Sequence, residues 1–333
     1  EIEARRMSRV HPYDAYTGRL SDGDLIGAVA RLLNPGKVWS ASQLNDLGMC
    51  GFRYFAGHLL HLDTLEEPED GMTALHMGTL YHAILEQTYG EVRALGMTIS
   101  PDNAEDAVTL LRDAAKEVFR DAPRRLGFQP SALWEQEKET ILRKLEALVR
   151  KDFSDDSPLR RYGEPRVPHR VEASFGLKQE DVFAVDLGEP LGMLRVRGKI
   201  DRIDRVGNRA VVIDYKTGST RIDMKELARG RNYQMMLYVL AAREMLRGES
   251  LDVEAGVFWS VNSRNLVGEL PMDDEGFAAM EEGAGHLWRS LERARGGDFA
   301  THATRMEEGK CARYCQFSNL CRVSTTARYK VGE

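Results

Sequence analysis

The sequence predicts an α/β domain, a central mixed β-sheet flanked by helices, and three observations carry that prediction. Residues 73–151 repeat apolar side chains at helical spacing among Ala, Leu, Glu, Lys and Arg. From residue 167 the apolar period drops to two, the repeat of a strand with one face buried. Strand-like segments then resume after a helical stretch, so that helix interrupts the sheet in sequence.

Taken in order, residues 1–37 read as an extended lead-in with one short helix, roughly Asp22–Leu33, ahead of a single domain over 38–333. Ser40 or Ser42 caps a helix that begins near Gln43. That helix leads to Cys50 and an aromatic patch, Phe52-Arg53-Tyr54-Phe55. An acidic loop at 63–70 precedes a helix over 73–89. Two long helical patterns, 103–121 and 132–151, form a helical insertion at about 100–155. Strands are expected at 167–175, 181–187, 192–205 and 209–216, then a helix from about Ile222 to Leu246. Strands at 253–261 and 265–270 and a helix at 273–295 follow, and three cysteines sit in the last forty residues.

Composition narrows the function classes. The 333 residues are 42% hydrophobic and 29% charged, enough for a sizeable core in a water-soluble protein. No run of about 18 apolar residues occurs, so no membrane span is expected. The first residues, Glu1 to Arg6, have no apolar stretch behind them and do not form a secretion signal. The chain starts without Met, which fits a piece of a longer protein, and no GxxxxGK[ST] motif provides a P-loop ATP site. The net charge is −6, yet residues 195–231 hold eleven Lys/Arg against five Asp/Glu. A basic surface confined to one cleft suits contact with phosphates on an otherwise acidic protein. The four cysteines are Cys50, Cys311, Cys315 and Cys321. Without a secretion signal they point to a metal site or a cluster rather than to disulfides.

The most informative segment runs from Gly198-Lys199-Ile200-Asp201-Arg202-Ile203-Asp204 to Val211-Val212-Ile213-Asp214-Tyr215-Lys216. Gly207-Asn208 makes a two-residue hairpin turn, which sets Asp201 opposite Asp214. Facing carboxylates whose Cβ atoms lie about 4.5–5.5 Å apart destabilise a sheet unless something cationic bridges them. Hard Mg²⁺ or Mn²⁺ takes such oxygen ligands. Lys216 points to the same face as Asp214 and can orient a water or stabilise negative charge on a phosphorane-like transition state. The register also sets Lys199 opposite Lys216, which needs a bulge or a strong twist. A lone Asp-x-Lys is more often a salt-bridged surface hairpin; the paired Asp and the apolar run into the site favour chemistry.

Two helices add support. His82 and Glu86 lie four apart on one face, and a neutral imidazole could complete a metal shell, although a lone histidine there is more often a surface residue. Gln234 and Tyr238 share another face, with packing as the plain alternative. Arg221, Lys225 and Arg229 follow the same spacing with Arg231 nearby, and read as either phosphate contacts or a solvated face.

Together these residues resemble the RecB-family motifs of the PD-(D/E)XK nucleases: G-x-x-x-H (Gly78, His82), G-x-x-D-R-x-D (Gly198 to Asp204), D-Y-K-T-G (Asp214 to Gly218) and Q-x-x-x-Y (Gln234, Tyr238). Trp39 to Phe55 looks like the opening of AddB-type nuclease domains, and the resemblance spans about Val38 to Val323. It implies a restriction-endonuclease-like core and a cytoplasmic, metal-dependent exonuclease acting on single-stranded or duplex DNA ends in recombination and repair. Within that resemblance His82, Asp201, Asp214 and the Tyr215 carbonyl bind Mg²⁺ or Mn²⁺, Lys216 is catalytic, and Gln234 and Tyr238 shape the site. Cys50, Cys311, Cys315 and Cys321 match a [4Fe–4S] cluster that staples the two ends, although the tail spacing is C-x₃-C-x₅-C where the family more often has C-x₂-C-x₅-C. Structural Zn²⁺ on four cysteines is the rival. The implied partners are DNA and a helicase subunit or a helicase-like region of the same longer chain. Two other readings are a silent DNA-binding or scaffold module of a helicase–nuclease complex, and a stand-alone nuclease of the CRISPR-adaptation type.

Overall fold

The computed structural model describes residues 18–63, 72–177, 183–218, 224–300 and 315–321. Helix α1 (Gly23–Leu32) starts at an Asp22 cap, and α2 (Ala41–Met49) starts at a Ser40–Gln43 capping box. The short α3 (Gly51–Tyr54) continues into a π-turn at Phe55–Leu59. Three long helices follow: α4 (Ala74–Ala94), α5 (Ala104–Leu126) and α6 (Trp134–Phe153). The strands are β1 (Arg166–Phe175), β2 (Ala184–Asp186), β3 (Met193–Arg195), β4 (Gly198–Val206) and β5 (Arg209–Lys216). Helices α7 (Met224–Ala228) and α8 (Gln234–Leu246) lead to β6 (Asp252–Ser260), β7 (Leu266–Pro271) and α9 (Asp274–Arg295), and α10 (Ser318–Cys321) closes the described chain.

The main sheet has the order β1-β4-β5-β6-β7, with β5 and β6 parallel and the other neighbours antiparallel. The sheet is therefore mixed, as expected, because α7 and α8 carry the chain back across one face between β5 and β6. Two apolar cores follow from side-chain alternation along the strands. On one face Ile203, Ala210 and Val212 pack with α1, α2, α8 and α9; on the other Val211, Ile213, Val257 and Trp259 pack with α4, α5 and α6. The described part of the lead-in joins the first core, with Leu33 wholly buried.

Two expected elements are divided. The strand expected over 192–205 breaks at Val196-Arg197, because this backbone serves Trp39: Trp39 N–H donates to Arg195 O and Arg197 N–H to Trp39 O, both at 2.9 Å. The helix expected from Ile222 to Leu246 stops at Gly230, whose φ of +71° a helix cannot contain. Gly48 of α2 packs so tightly there that a Cβ would lie 2.1 Å from Gly230 O. The stripe of basic residues is consequently not one continuous helix face. Lys225 lies on α7 and Arg229 beyond its end, both exposed, while Arg231 is half-buried with Nη1 3.5 Å from Glu226. Arg221 lies outside the described residues.

Candidate active site

Strands β4 and β5 pair from Val206–Arg209 to Arg202–Ile213, in the register expected from the turn, and then splay. The splay is sealed by a side chain: Asp201 Oδ2 accepts the Tyr215 N–H at 2.7 Å. It also separates the two lysines, since Lys199 turns to Glu172 instead of facing Lys216. Gly198 opens the motif because the Phe175 ring lies where a Cβ would stand, 2.5 Å from Cζ.

Two groups of side chains meet at this opening. In the first, His82 Nδ1 lies 3.2 Å from Asp201 Oδ2, and His82, Glu172 and Asp201 bring one ligand atom each within 4.8 Å of one another. His82 comes from α4, Asp201 from β4, and Glu172 from a point in β1 where φ is +50° and the ladder with β4 skips a pair. Burial works against a charged imidazole, but the hydrogen bond and charge of Asp201 prevail and raise the His82 pKa. In the second group, Gln234 receives Lys216 Nζ on Oε1 at 2.7 Å and donates from Nε2 to Asp214 Oδ1 at 2.9 Å and to Tyr238 OH at 3.1 Å. Burial above all, then the Asp201 charge, push the Asp214 carboxyl up to about 6 against the pull of Lys216 and His82.

The donor set fits a hard divalent cation. Asp214 is almost fully buried, and its Oδ2 lies 2.7 Å from the Lys216 ammonium. A buried carboxylate with an imidazole and two further carboxylates near it offers the oxygen and nitrogen donors that a hard divalent cation takes.

Glu172 was not among the residues expected from sequence. Its signal is a lone acid inside the apolar strand Val171-Glu172-Ala173, and its position opposite Asp201 depends on a β1–β4 pairing that no short turn fixes. Glu86 shares the His82 helix face only by spacing; it is exposed and outside the cluster. Tyr215 aims its ring away from the site, where its hydroxyl accepts from Arg202 Nη1 at 2.6 Å.

That bond belongs to a buried ion network behind the site. Arg202 Nη2 donates to Asp204 Oδ2 at 2.9 Å and Nη1 lies 2.8 Å from Asp152 Oδ2. Arg166 Nη1 donates to Asp204 at 2.7 Å and Nη2 contacts Asp152, while Tyr89 OH donates to Asp152 at 2.5 Å. Arg202 and part of the local positive charge of 195–231 are therefore interior, not surface.

Cys50, Cys315 and Cys321 are half-exposed, and Cys311 lies outside the described residues. Among the described residues the three do not converge within 4.8 Å as ligands of one ion would. They do lie on segments that meet: the Phe317 ring rests 3.4 Å from the position of a Cβ on Gly57, in the π-turn after Cys50.

A sequence profile of the PD-(D/E)XK nuclease superfamily matches residues 38–322. The chain is 31% identical over 274 residues to the B-type subunit of the ATP-dependent helicase/deoxyribonuclease of Carboxydothermus hydrogenoformans, covering 72% of this chain and 23% of that protein. It is 30% identical over 227 residues to the protein of the same name from Symbiobacterium thermophilum, covering 65% and 18%. With that of Lacticaseibacillus casei the identity is 27% over 245 residues, covering 72% and 20%. The chain thus spans less than a quarter of the length of these curated relatives.

Proposed function

The chain belongs to the PD-(D/E)XK nuclease superfamily, and from that premise we propose that it is a metal-dependent deoxyribonuclease that trims DNA ends in recombination and repair. One observation carries the reading: at the β4–β5 splay a cation-ready cluster, His82, Glu172 and Asp201, adjoins Asp214, Lys216 and Gln234 held by mutual hydrogen bonds. A silent scaffold would not need an ammonium locked beside a buried carboxylate.

His82, Glu172, Asp201, Asp214 and the Tyr215 carbonyl would hold Mg²⁺ or Mn²⁺. When bound, that cation supplies Lewis-acid polarisation of the phosphate and a more acidic water. The protein does the rest. Gln234 fixes the Lys216 ammonium and the Asp214 carboxylate relative to each other, and Tyr238 fixes Gln234. Lys216 then orients the water whose oxygen bonds to phosphorus as one P–O ester bond breaks. Lys225, Arg229 and Arg231 are proposed to contact the DNA backbone, as is Arg221. The curated relatives carry a helicase/deoxyribonuclease name, which supports DNA as the substrate and a helicase partner; exonucleolytic action on single-stranded ends in the cytoplasm completes the proposal. Among the described residues no helix is long and apolar enough to cross a membrane.

A [4Fe–4S] cluster on Cys50, Cys311, Cys315 and Cys321 is part of the same proposal. Thiolates of such a cluster each bind a different iron, so they need not converge as tightly as four ligands of one zinc ion. Packing of Phe317 on the turn after Cys50 brings the right segments together.

The test is cleavage of end-labelled single-stranded DNA in Mn²⁺. Asp214→Ala and Lys216→Ala are expected each to lose activity by roughly 10²-fold or more while circular dichroism stays unchanged. Undiminished cleavage by either variant rules the assigned site out.

A further inference from the structure

One carboxylate of the cluster is already paired with a cation of the protein's own. Lys199 precedes Asp201 by two residues on β4, on the same face, and its ammonium contacts Glu172 Oε2. The Lys199 side chain is 46% exposed and that of Glu172 11%. Among the described residues Glu172 is the one ion-pair partner of Lys199, whereas Lys216 is held by both Gln234 and Asp214. Glu172 is also the ligand the backbone presents at some cost, since a non-glycine residue at φ +50° is strained.

Two cations therefore compete for one carboxylate. The lysine end of this pair is half-exposed on a flexible four-carbon stem, so the ammonium can swing into solvent and exchange for another cation. A divalent cation among His82, Glu172 and Asp201 would both take Glu172 and repel the ammonium. The displaced Lys199 stays at the mouth of the site, within reach of an anionic strand lying across it.

Resting on the nuclease reading above, we propose that Lys199 is a displaceable internal counter-ion. It neutralises Glu172 in the metal-free protein, releases that carboxylate on metal binding, and then contacts a phosphate neighbouring the scissile one. The lysine thus works against metal affinity and in favour of substrate affinity, two effects of opposite sign that a purely structural salt bridge would not produce.

Titration calorimetry with Mn²⁺ and steady-state cleavage of an oligodeoxythymidylate test this on the whole chain. Lys199→Met is expected to bind Mn²⁺ roughly three- to tenfold more tightly than wild type, because a competing charge is gone. Its KM for the oligonucleotide should rise, with a dependence on log salt shallower by about 0.7, one phosphate contact on a single strand. Lys199→Arg keeps the charge and should stay near wild type in both. Equal or weaker Mn²⁺ binding by Lys199→Met, or an unchanged salt slope, overturns the proposal. Asp201→Ala separates the two readings. If wild type binds Mn²⁺ no better than Asp201→Ala, the metal site itself fails. If wild type binds and Lys199→Met merely equals it, only the role of Lys199 fails.

Discussion

Asp214 must be ionised to hold a cation, in a place that favours the acid. Burial and the neighbouring Asp201 push its carboxyl up to about 6, against 3.8 for the free side chain. The folded chain then binds this proton more tightly than the unfolded one, so the metal-free protein loses stability as pH rises from the ordinary carboxylate range through about 6. Below that pH a cation has to displace the proton, and the raised His82 adds a second competitor. Mn²⁺ affinity is accordingly expected to fall as the pH drops, by at least about tenfold per pH unit below 6. Calorimetry across pH 5–8 checks this, and an affinity unchanged between pH 5 and 7 would contradict it. Asp201, Asp214 and Lys216 could be picked out in the sequence because strand period and hairpin register fix which side chains share a face, whereas His82 and Gln234, on helices, stood out only through their match to the family motifs. Glu172 could not be picked out, because its contribution depends on pairing between strands that are far apart in sequence.

At the scale of elements, the reactive edge of β4 and β5 is backed by charge. Four ionic side chains, Asp152 of α6, Arg166 of β1, and Arg202 and Asp204 of β4, are almost fully buried and ion-pair with one another, with Tyr89 and Tyr215 hydrogen-bonded at the edges. Burial alone would keep Asp152 protonated, but Arg166 and Arg202 outweigh it and lower its pKa. Removing one member strands the others in the interior. Asp152→Ala is expected to cost roughly 3–5 kcal/mol, read as a lower denaturation midpoint in urea, although Asp152 touches no part of the metal cluster. A change under about 1 kcal/mol would show that water reaches the network. The Arg and second Asp of the D-R-x-D motif were visible in the sequence, but not their purpose: alternation turns them to the back of the sheet, where their partners arrive from a helix and another strand. Local reading likewise found every long helix, and failed where tertiary contact overruled period, at Val196-Arg197 taken by Trp39 and at Gly230 taken by α2.

Across the described residues the sheet separates two cores, and an early and a late segment of the chain meet on one side of it. Ordinary contacts hold them there. Leu20 N–H donates to Gly297 O and Phe299 N–H to Gly18 O, both at 2.9 Å, Arg295 Nε donates to Leu33 O at 2.9 Å, and the Phe55 and Phe299 rings lie 4.8 Å apart. The proposed iron–sulfur staple would add a covalent closure between Cys50 and the tail, about 260 positions away. Closing so long a loop restricts the unfolded chain far more than the folded one, in which the ends already meet. Cys315 is half-exposed, so its thiol by itself contributes little packing. Cys315→Ala therefore separates the two sources of stability. If a cluster is present, the variant should lose the brown visible absorbance of the purified protein, and its melting temperature should fall by about 5 °C or more. Calorimetric scans of protein purified without oxygen give the answer: a brown variant would show that Cys315 is not a ligand, and unchanged melting in a colourless one would leave the hydrogen bonds and aromatic contacts between the two segments as the whole clamp.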